Sequence, residues 1–205
     1  MIKSLKICGV SDTKTLNYIL NHPNPPKFVG FITNYRKSKR FVEYEKLKEM
    51  LNVNKRDIKF TSVLVDPTDE ILEKIKNLNF DYYQLYDVEP ERTKKIKIKY
   101  DIKIITALTV SGEDDVIKYK NYLDISDIFL FDSKGYHKSE SFDHNLLDTV
   151  PNELNKMIAG NIQIDDISNF KNKNFIIDLS GSLEDANGKK DINKIDKLLS
   201  LFAKK

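Results

Sequence analysis

The sequence predicts an α/β protein in which eight parallel strands, each followed by a helix, close into a (β/α)8 barrel, or TIM barrel. Short runs that are apolar throughout alternate with amphipathic segments along all 205 residues, and such runs are typical of parallel strands covered by helices. Each strand and helix together take about 25 residues, near the lower limit for this barrel, so the loops must be short. The competing open, doubly wound sheet would usually need only about five or six strands. The first turn also lacks the glycine triplet of a dinucleotide site.

The first half of the chain contains four predicted strands, at residues 5–8, 28–32, 61–65 and 82–86. After the first strand, Leu16, Ile19 and Leu20 recur at helical spacing. This helix ends at the proline-rich segment 21–26, because proline cannot continue a helix. Apolar spacing predicts three further helices: one on Tyr44, Leu47 and Leu51, one that opens at 66–68 and runs through Ile71, Ile75 and Leu78, and one from about Pro90.

The second half repeats the alternation, with strands predicted at 102–108, 127–132, 157–159 and 175–179. The helix after the fifth strand begins at 111–113 and carries Val116 and Leu123. Short helices are expected around Leu146 and Leu147, and around Asp165 and Ile167. The final helix has Asp191 as its predicted N-cap, and its apolar stripe consists of Ile192, Ile195, Leu198, Leu199 and Phe202.

Length and composition predict a single domain over residues 1–205, since the chain suits one sizeable core and is short for two complete domains. The hydrophobic fraction of 40% and the charged fraction of 32% are typical of a soluble globular protein. Lysine is abundant, but the net charge of +3 does not match a nucleic-acid-binding surface. The densest basic run, 94–99, is expected on a helix face. The lysine-rich helices offer no obvious apolar patch, so a monomer is expected.

Targeting signals and metal motifs are not evident in the sequence. No apolar run approaches the roughly 18 residues that a membrane span needs, and the N-terminus has no signal-peptide pattern, so a cytoplasmic protein is expected. Cys8 is the only cysteine, which excludes an internal disulfide and a multi-cysteine metal site. His22, His137 and His144 do not have zinc-ligand spacing, so no metal site is expected.

Polar residues at the strand ends predict the functional face, because all strand C-termini of a barrel meet at one mouth. An acid, a thiol and a guanidinium at that mouth would make a site for proton transfer on an anionic substrate. Each also has a structural interpretation, since a cysteine can pack as a small hydrophobe, an aspartate can cap a helix and an arginine can be a surface charge. The residues expected at the mouth are Cys8, Arg40, Gln84, Thr106, Asp132, Asn161, Asp178 and Ser180.

Two late loops predict a phosphate site. Their small residues leave backbone N–H groups open to a ligand, and the loops after strands seven and eight often hold phosphate in such barrels. The predicted phosphate-binding residues are Gly160, Asn161, Ser180, Gly181 and Ser182.

Motifs spread over almost the full length carry a resemblance to one known family. They are Lys6-Ile7-Cys8-Gly9, Gly30-Phe31 with Ser38-Lys39-Arg40, Gln84-Leu85, Phe131-Asp132-Ser133-Lys134 with Phe142-Asp143, Ala159-Gly160, and Asp178-Leu179-Ser180 through Glu184 with Gly188-Lys189-Lys190-Asp191. In order and spacing they resemble phosphoribosylanthranilate isomerase, a family of tryptophan biosynthesis. The resemblance implies an Amadori rearrangement of N-(5′-phosphoribosyl)anthranilate to 1-(2-carboxyphenylamino)-1-deoxyribulose 5-phosphate.

The resemblance also implies roles for individual residues. Asp132 would be the general acid that protonates the furanose oxygen, and Cys8 the general base that removes the C2 proton. A free thiol has a pKa of about 8.5, so the role of Cys8 requires a locally favoured thiolate, helped by a helix N-terminus or by cationic neighbours. Arg40, Gln84 and Asp178 would bind the substrate, with Arg40 on the anthranilate carboxylate. The reaction would need a phosphorylated small molecule as its partner, with no metal, organic cofactor, nucleic acid or membrane.

The sequence departs from the family pattern at four places. Tyr86-Asp87 stands where His-Gly is usual, Asn161 replaces a second glycine, and Ser180-Gly181-Ser182 replaces Ser-Ser-Gly. The glycine-rich loop after Asp132 is missing, since 135–141 is shorter. His137, Lys138 or Ser139 could supply replacement contacts to phosphate, the phosphate grip could be weaker, or His137 could be a solvated loop residue.

Three alternatives to this enzyme are considered. The first is a non-catalytic or diverged sugar-phosphate-binding barrel that lost the phosphate loop, although retention of both Cys8 and Asp132 argues against it. The second is the sugar-phosphate isomerase of histidine biosynthesis, whose family has a pair of aspartates at opposite strands, whereas the first strand here ends in Cys8. The third, a basic nucleic-acid-binding protein, is disfavoured by the balanced charge.

Overall fold

The fold is a closed barrel of eight strands, as predicted. The computed structural model describes residues 2–133, 141–170 and 173–202. Each strand is parallel to its neighbours, the strands follow one another in chain order, and the first pairs with the last. This closure excludes the open doubly wound sheet.

The strands agree closely with the predicted apolar runs. In chain order they are β1 (Ser4–Cys8), β2 (Phe28–Ile32), β3 (Lys59–Val65), β4 (Tyr82–Tyr86), β5 (Lys103–Val110), β6 (Ile128–Ser133), β7 (Lys156–Ile158) and β8 (Phe175–Leu179). The predicted limits of β2, β4 and β8 are confirmed. β5 is longer than predicted because Thr109 and Val110 pair with Asp132 and Ser133 of β6. Ala159, predicted within β7, lies just beyond its end.

Each strand is followed by one or more helices. The α-helices of the described residues are α1 (Thr13–Asn21), α2 (Tyr44–Leu51), α3 (Asp69–Ile75), α4 (Pro90–Tyr100), α5 (Glu113–Val116) and α6 (Ile192–Ser200). Short 3-10 helices cover Ile117–Tyr122, His144–Thr149, Ile164–Phe170 and Gly181–Leu183. Within the part of the chain that the structure describes, none of these helices is long and apolar enough to cross a membrane.

Local sequence signals account for the helix starts. The predicted N-cap of α6 is confirmed, because the Asp191 carboxylate accepts a hydrogen bond from the Asn193 N–H at 2.8 Å. Pro90 opens α4, where its missing N–H leaves no intrahelical bond unmade. The basic run 94–99 lies in α4 as expected, and its Lys97 and Lys99 are ion-paired with Asp127 and Glu73.

The connection after β5 differs from the prediction. A helix carrying both Val116 and Leu123 was expected, but α5 ends at Val116 and a 3-10 helix continues the chain. A 3-10 helix has about three residues per turn rather than 3.6, so apolar residues spaced for an α-helix no longer share one face. Val116 is buried and Leu123 is 46% exposed. Leu78 and Phe202 likewise lie beyond the ends of α3 and α6.

Alternate strand residues divide the apolar core into two parts. One cluster contains every second residue along the strands and fills the interior of the barrel. It includes Cys8, Tyr86, Ile105 and Met157. Positions of the other parity pack against the helices outside the sheet. Polar residues that share the interior parity, such as Lys6, are therefore held directly beneath the mouth.

Candidate active site

A cavity of about 520 Å³ lies at the carboxyl end of the barrel. The last residues of four consecutive strands contribute to its wall, namely those of β1 to β4, so the strand ends converge as expected. The predicted site residues that line it are Cys8, Arg40, Asp132, Gly160, Asn161, Asp178, Ser180, Gly181 and Ser182.

Gln84 and Thr106 were expected at the mouth, and both lie elsewhere. Gln84 is the middle residue of β4 and is fully buried one layer beneath the cavity. Thr106 has the opposite parity to Ile105, so its side chain faces outward, where its hydroxyl bonds to that of Ser126. The expectation of a strand-end position was wrong for both residues because each stands inside its strand.

Cys8 is the last residue of β1 and lies beside a buried ion pair. The Nζ atom of Lys6, two residues earlier on the same face, lies 2.7 Å from Oδ2 of Asp178, and the Lys6 side chain is fully buried. Burial raises the pKa of the Cys8 thiol above its ordinary value, and the attraction of the Lys6 ammonium for the thiolate only partly offsets it. The cationic neighbour expected from the sequence is present, but the thiol itself is the favoured form.

Asp132 is held at both carboxyl oxygens near the end of β6. The Tyr86 hydroxyl donates a hydrogen bond to Oδ2 at 2.8 Å, and the Ser133 N–H donates to Oδ1 at 2.8 Å. Burial raises the pKa of the Asp132 carboxyl to about 6, against the opposing effect of the Tyr86 hydrogen bond. A carboxyl with this pKa can carry a proton close to neutral pH, as a general acid must.

The Arg40 side chain lines the cavity and belongs to a network of ion pairs. Its Nη2 donates to Oε2 of Glu184 at 2.9 Å, and its Nε donates to Oε1. The buried Lys190 donates to the same Oε1 at 2.8 Å and to the Ser180 carbonyl at 3.0 Å. The network thus ties Arg40 to the loop after β8. Reasoning from residue roles did not assign Glu184 or Lys190 to the site, although both belong to the motif pieces of the resemblance.

The two late loops both line the cavity. Gly160 has a φ of +93° and Asn161 a φ of +53°, so the chain turns sharply after β7. A Cβ atom on Gly160 would lie 2.8 Å from Cβ of Ser133, so only glycine fits there. Among the described residues, the buried hydroxyls of Ser133 and Ser182 have no hydrogen-bond partner. The loop residues His137, Lys138 and Ser139 lie outside the described residues.

A metal site needs several acidic, cysteine or histidine side chains close together. Across 2–133, 141–170 and 173–202, no group of three or more of them is arranged to hold a metal ion.

Comparison with known proteins gives consistent matches along the chain. A family model described as N-(5′phosphoribosyl)anthranilate (PRA) isomerase matches residues 5–200. An N-(5′-phosphoribosyl)anthranilate isomerase of Rhizobium johnstonii is 31% identical over 215 residues, which cover 100% of this chain and 96% of that protein. The enzyme of the same name from Rhizobium rhizogenes is also 31% identical, over 214 residues, covering 99% of this chain and 95% of that protein.

Solved structures share the fold. Phosphoribosyl anthranilate isomerase from Thermotoga maritima has a TM-score of 0.84 and 24% identity, with 98% of each chain covered. The protein of that name from Thermus thermophilus has a TM-score of 0.83 and 19% identity, covering 99% of this chain and 98% of that chain. A phosphoribosyl anthranilate isomerase in complex with reduced 1-(o-carboxyphenylamino)-1-deoxyribulose 5-phosphate has a TM-score of 0.82 and 23% identity, covering 98% and 97%.

Proposed function

Because the chain belongs to the N-(5′-phosphoribosyl)anthranilate isomerase family, we propose that it isomerises N-(5′-phosphoribosyl)anthranilate with Cys8 as general base and Asp132 as general acid. The observation that carries these roles is that both side chains line one cavity, together with the loops after β7 and β8. The chain is an isomerase of tryptophan biosynthesis, and the residue roles explain how its cavity could perform the reaction.

The rearrangement needs two proton transfers, one to the furanose oxygen and one from C2. Protonated Asp132 gives its proton to the furanose oxygen, and the ring opens to a Schiff base. The thiolate of Cys8 then removes the C2 proton, and the enolamine that forms tautomerises to the ketone. Aldose and ketose have the same oxidation level overall, so this acid and base complete the step with the substrate's own electrons.

The ionisation states of the two groups define the active form of the enzyme. Asp132 has a pKa of about 6 and burial raises that of Cys8, so at neutral pH most molecules hold a carboxylate and a thiol. The form that can react, with a protonated Asp132 and a thiolate, is a minor one. The attraction of the Lys6 ammonium for the thiolate enlarges its share.

Three further groups fit the substrate's polar ends. Arg40 supplies guanidinium donors for the anthranilate carboxylate, on a side chain that Glu184 already orients. Asp178 Oδ1 is buried and has no partner among the described residues, so it can accept the hydrogen of the substrate's amino group. The backbone of Gly160, Asn161, Gly181 and Ser182, with the hydroxyl of Ser180 nearby, would hold the phosphate.

The test combines genetic complementation with assays of purified protein. We expect the wild-type gene to restore growth without tryptophan to a strain that lacks this isomerase. Cys8→Ala and Asp132→Ala should each abolish growth and turnover while circular dichroism remains unchanged. Asp165→Ala, which removes an aspartate that is 86% exposed on its side chain, is the matched control and should rescue fully.

The outcomes separate the activity from the residue roles. Failure of the wild-type protein to turn over N-(5′-phosphoribosyl)anthranilate would overturn the activity. Full rescue by both alanine variants would leave the activity standing and refute the assigned acid and base.

A further inference from the structure

Three side chains form a continuous hydrogen-bond chain from the barrel interior to the cavity. Gln84 and Tyr86 stand two residues apart in β4, so their side chains leave the strand on the same, inner face. The Nε2 atom of Gln84 donates to the Tyr86 hydroxyl at 3.2 Å, and that hydroxyl donates to Oδ2 of Asp132 at 2.8 Å. Gln84 lies beneath the cavity, whereas Tyr86 and Asp132 line it.

The donors determine the direction in which these hydrogen bonds run. The Tyr86 oxygen accepts from Gln84, so its own hydrogen is directed toward Asp132. The second carboxyl oxygen of Asp132 accepts from the Ser133 N–H. With one fixed donor on each oxygen, the carboxyl group cannot turn about its last bond without breaking a hydrogen bond. Counting the donors among the described residues, one lone pair on each oxygen is left to hold the transferable proton.

The Tyr86 hydroxyl is itself unsuited to give up its proton. Burial and the neighbouring Asp132 carboxylate hold the pKa of that hydroxyl well above its ordinary value. It therefore remains a neutral donor over the whole range in which Asp132 titrates. Its hydrogen bond favours the carboxylate form and partly opposes the effect of burial on Asp132.

We propose that Tyr86, held from below by Gln84, is a positioning residue that fixes the plane of the Asp132 carboxyl and limits how tightly Asp132 holds its proton. This inference rests on the proposed function, in which Asp132 is the acid. It gives Gln84 a role through Tyr86 instead of a direct contact with the substrate.

A purely structural role for Tyr86 would require only its ring. The ring belongs to the apolar cluster of the barrel interior, with Ile105 and Ala107 among its members. Phenylalanine would keep that packing and remove only the hydroxyl. Tyr86→Phe therefore separates positioning from packing.

The first test follows the titration of Asp132 itself. The 13C resonance of the Asp132 carboxyl carbon, assigned by comparison with Asp132→Asn, is recorded against pH in the free protein. We expect a midpoint near 6 in the wild type, a higher midpoint in Tyr86→Phe, and a smaller upward shift in Gln84→Met, which keeps the side-chain length and removes the N–H donor. The shifts are upward because each variant loses support for the charged form.

The second test is kinetic. At a pH below 6, where Asp132 is protonated in both proteins, we expect Tyr86→Phe to lower kcat roughly tenfold, the effect of losing one hydrogen bond to the carboxylate that forms. KM should change by less than about twofold. Tyr83→Phe is the matched control, because Tyr83 is a buried tyrosine of the same strand at the opposite parity. It should leave kcat and the Asp132 titration unchanged.

The two tests fail in distinguishable ways. An Asp132 midpoint that is the same in wild type and Tyr86→Phe would overturn the positioning role, whatever the wild-type activity. Absence of turnover in the wild type, with the midpoint still shifted in Tyr86→Phe, would overturn the proposed function and leave the contact established. An equal loss of kcat in Tyr83→Phe would indicate a structural effect and refute the inference.

Discussion

At Asp132, burial and hydrogen bonding act in opposite directions, and burial is the larger effect. The environment raises the pKa of the carboxyl to about 6 although two donors contact it. At Cys8, burial likewise outweighs the attraction of Lys6. The pKa of the acid thus lies below that of the base. The opposite order would leave the acid mostly protonated and the base mostly deprotonated at neutral pH.

This order of the two pKa values predicts the pH dependence of the reaction. Below the Asp132 pKa of about 6 the acid is protonated and the thiolate fraction grows with pH, so kcat/KM should rise. Above it, the gain in thiolate is cancelled by the loss of protonated acid. We expect a plateau until the thiol of Cys8 titrates, and a decline beyond that point, in steady-state assays over a range of pH.

The second pKa of the substrate phosphate is also about 6, so substrate binding needs a separate measurement. The control is the affinity of a reduced product analogue over the same pH range, which reports the phosphate without the proton transfers. A kcat/KM that declines steadily above pH 6, once corrected for binding, would contradict this order of the two pKa values. Such a profile requires a thiolate that is already formed at that pH.

The Lys6 and Asp178 pair predicts a large effect on stability. Both side chains are almost fully buried, and removal of one partner leaves the other charge unpaired in the barrel interior. We expect Lys6→Met to lower the free energy of unfolding by about 3–5 kcal/mol in urea titrations. Lys95→Met, which breaks an exposed pair with Glu91, is the control and should change it far less, because water screens the two charges. Equal effects of the two variants would refute the importance of burial.

At the level of single residues, the sequence predicts which side chains lie at the mouth but not which of them contact each other. Cys8 and Asp132 could be placed at the mouth because each ends an apolar run. The contact of Tyr86 with Asp132 spans 46 residues and depends on how β4 and β6 are positioned around the barrel. The pairing of Arg40 with Glu184 spans 144 residues and depends on barrel closure. Neither spacing along the chain nor residue type indicates such pairs.

Among the elements, strands were predicted more accurately than helices. A strand buried on both faces is apolar throughout, so its limits are visible in the sequence, as for β2, β4 and β8. The connections after β5, β6 and β7 are 3-10 helices wholly or in part. Their apolar spacing resembles that of an α-helix over a few residues, so the spacing alone does not separate the two helix types. Leu123 was misplaced for that reason.

The turn after β7 predicts a position where glycine is required. Gly160 has a φ of +93°, which favours glycine. Backbone and side-chain atoms of Ser133 also lie within 3 Å of the position that a Cβ atom would occupy. We expect Gly160→Ala to lower the free energy of unfolding by about 1–3 kcal/mol, through backbone strain and the clash. KM should also rise, because the displaced N–H groups line the cavity.

The matched control for this turn is Gly112→Ala. No atom of the described residues lies within 4 Å of the position that a Cβ atom on Gly112 would occupy, and its backbone is extended, with a φ of −165°. That variant should change the free energy of unfolding by less than about 1 kcal/mol and leave KM unaltered. A Gly160→Ala protein as stable as Gly112→Ala would show that the loop can relax away from Ser133.

For the whole molecule, barrel closure is what turns separate sequence signals into a site. The pairing of β1 with β8 brings Cys8 beside Asp178 and Ser180, which stand about 170 residues away along the chain. Because every strand except β7 contributes one or two lining residues, a ligand in the cavity contacts the first and last strands together. Ligand binding should therefore stabilise the closed barrel as a unit.

This coupling predicts a melting temperature that depends on ligand concentration. A ligand that binds only the folded state adds about 2.7 kcal/mol at a hundred times its Kd. For a chain of this size that corresponds to roughly 5–10 °C in Tm. We expect the reduced product analogue to produce such a shift in differential scanning calorimetry, and inorganic phosphate to produce a smaller one. Gly160→Ala should reduce both shifts, whereas Gly112→Ala should reduce neither. Equal shifts in all three proteins would mean that the anion binds away from the turn after β7.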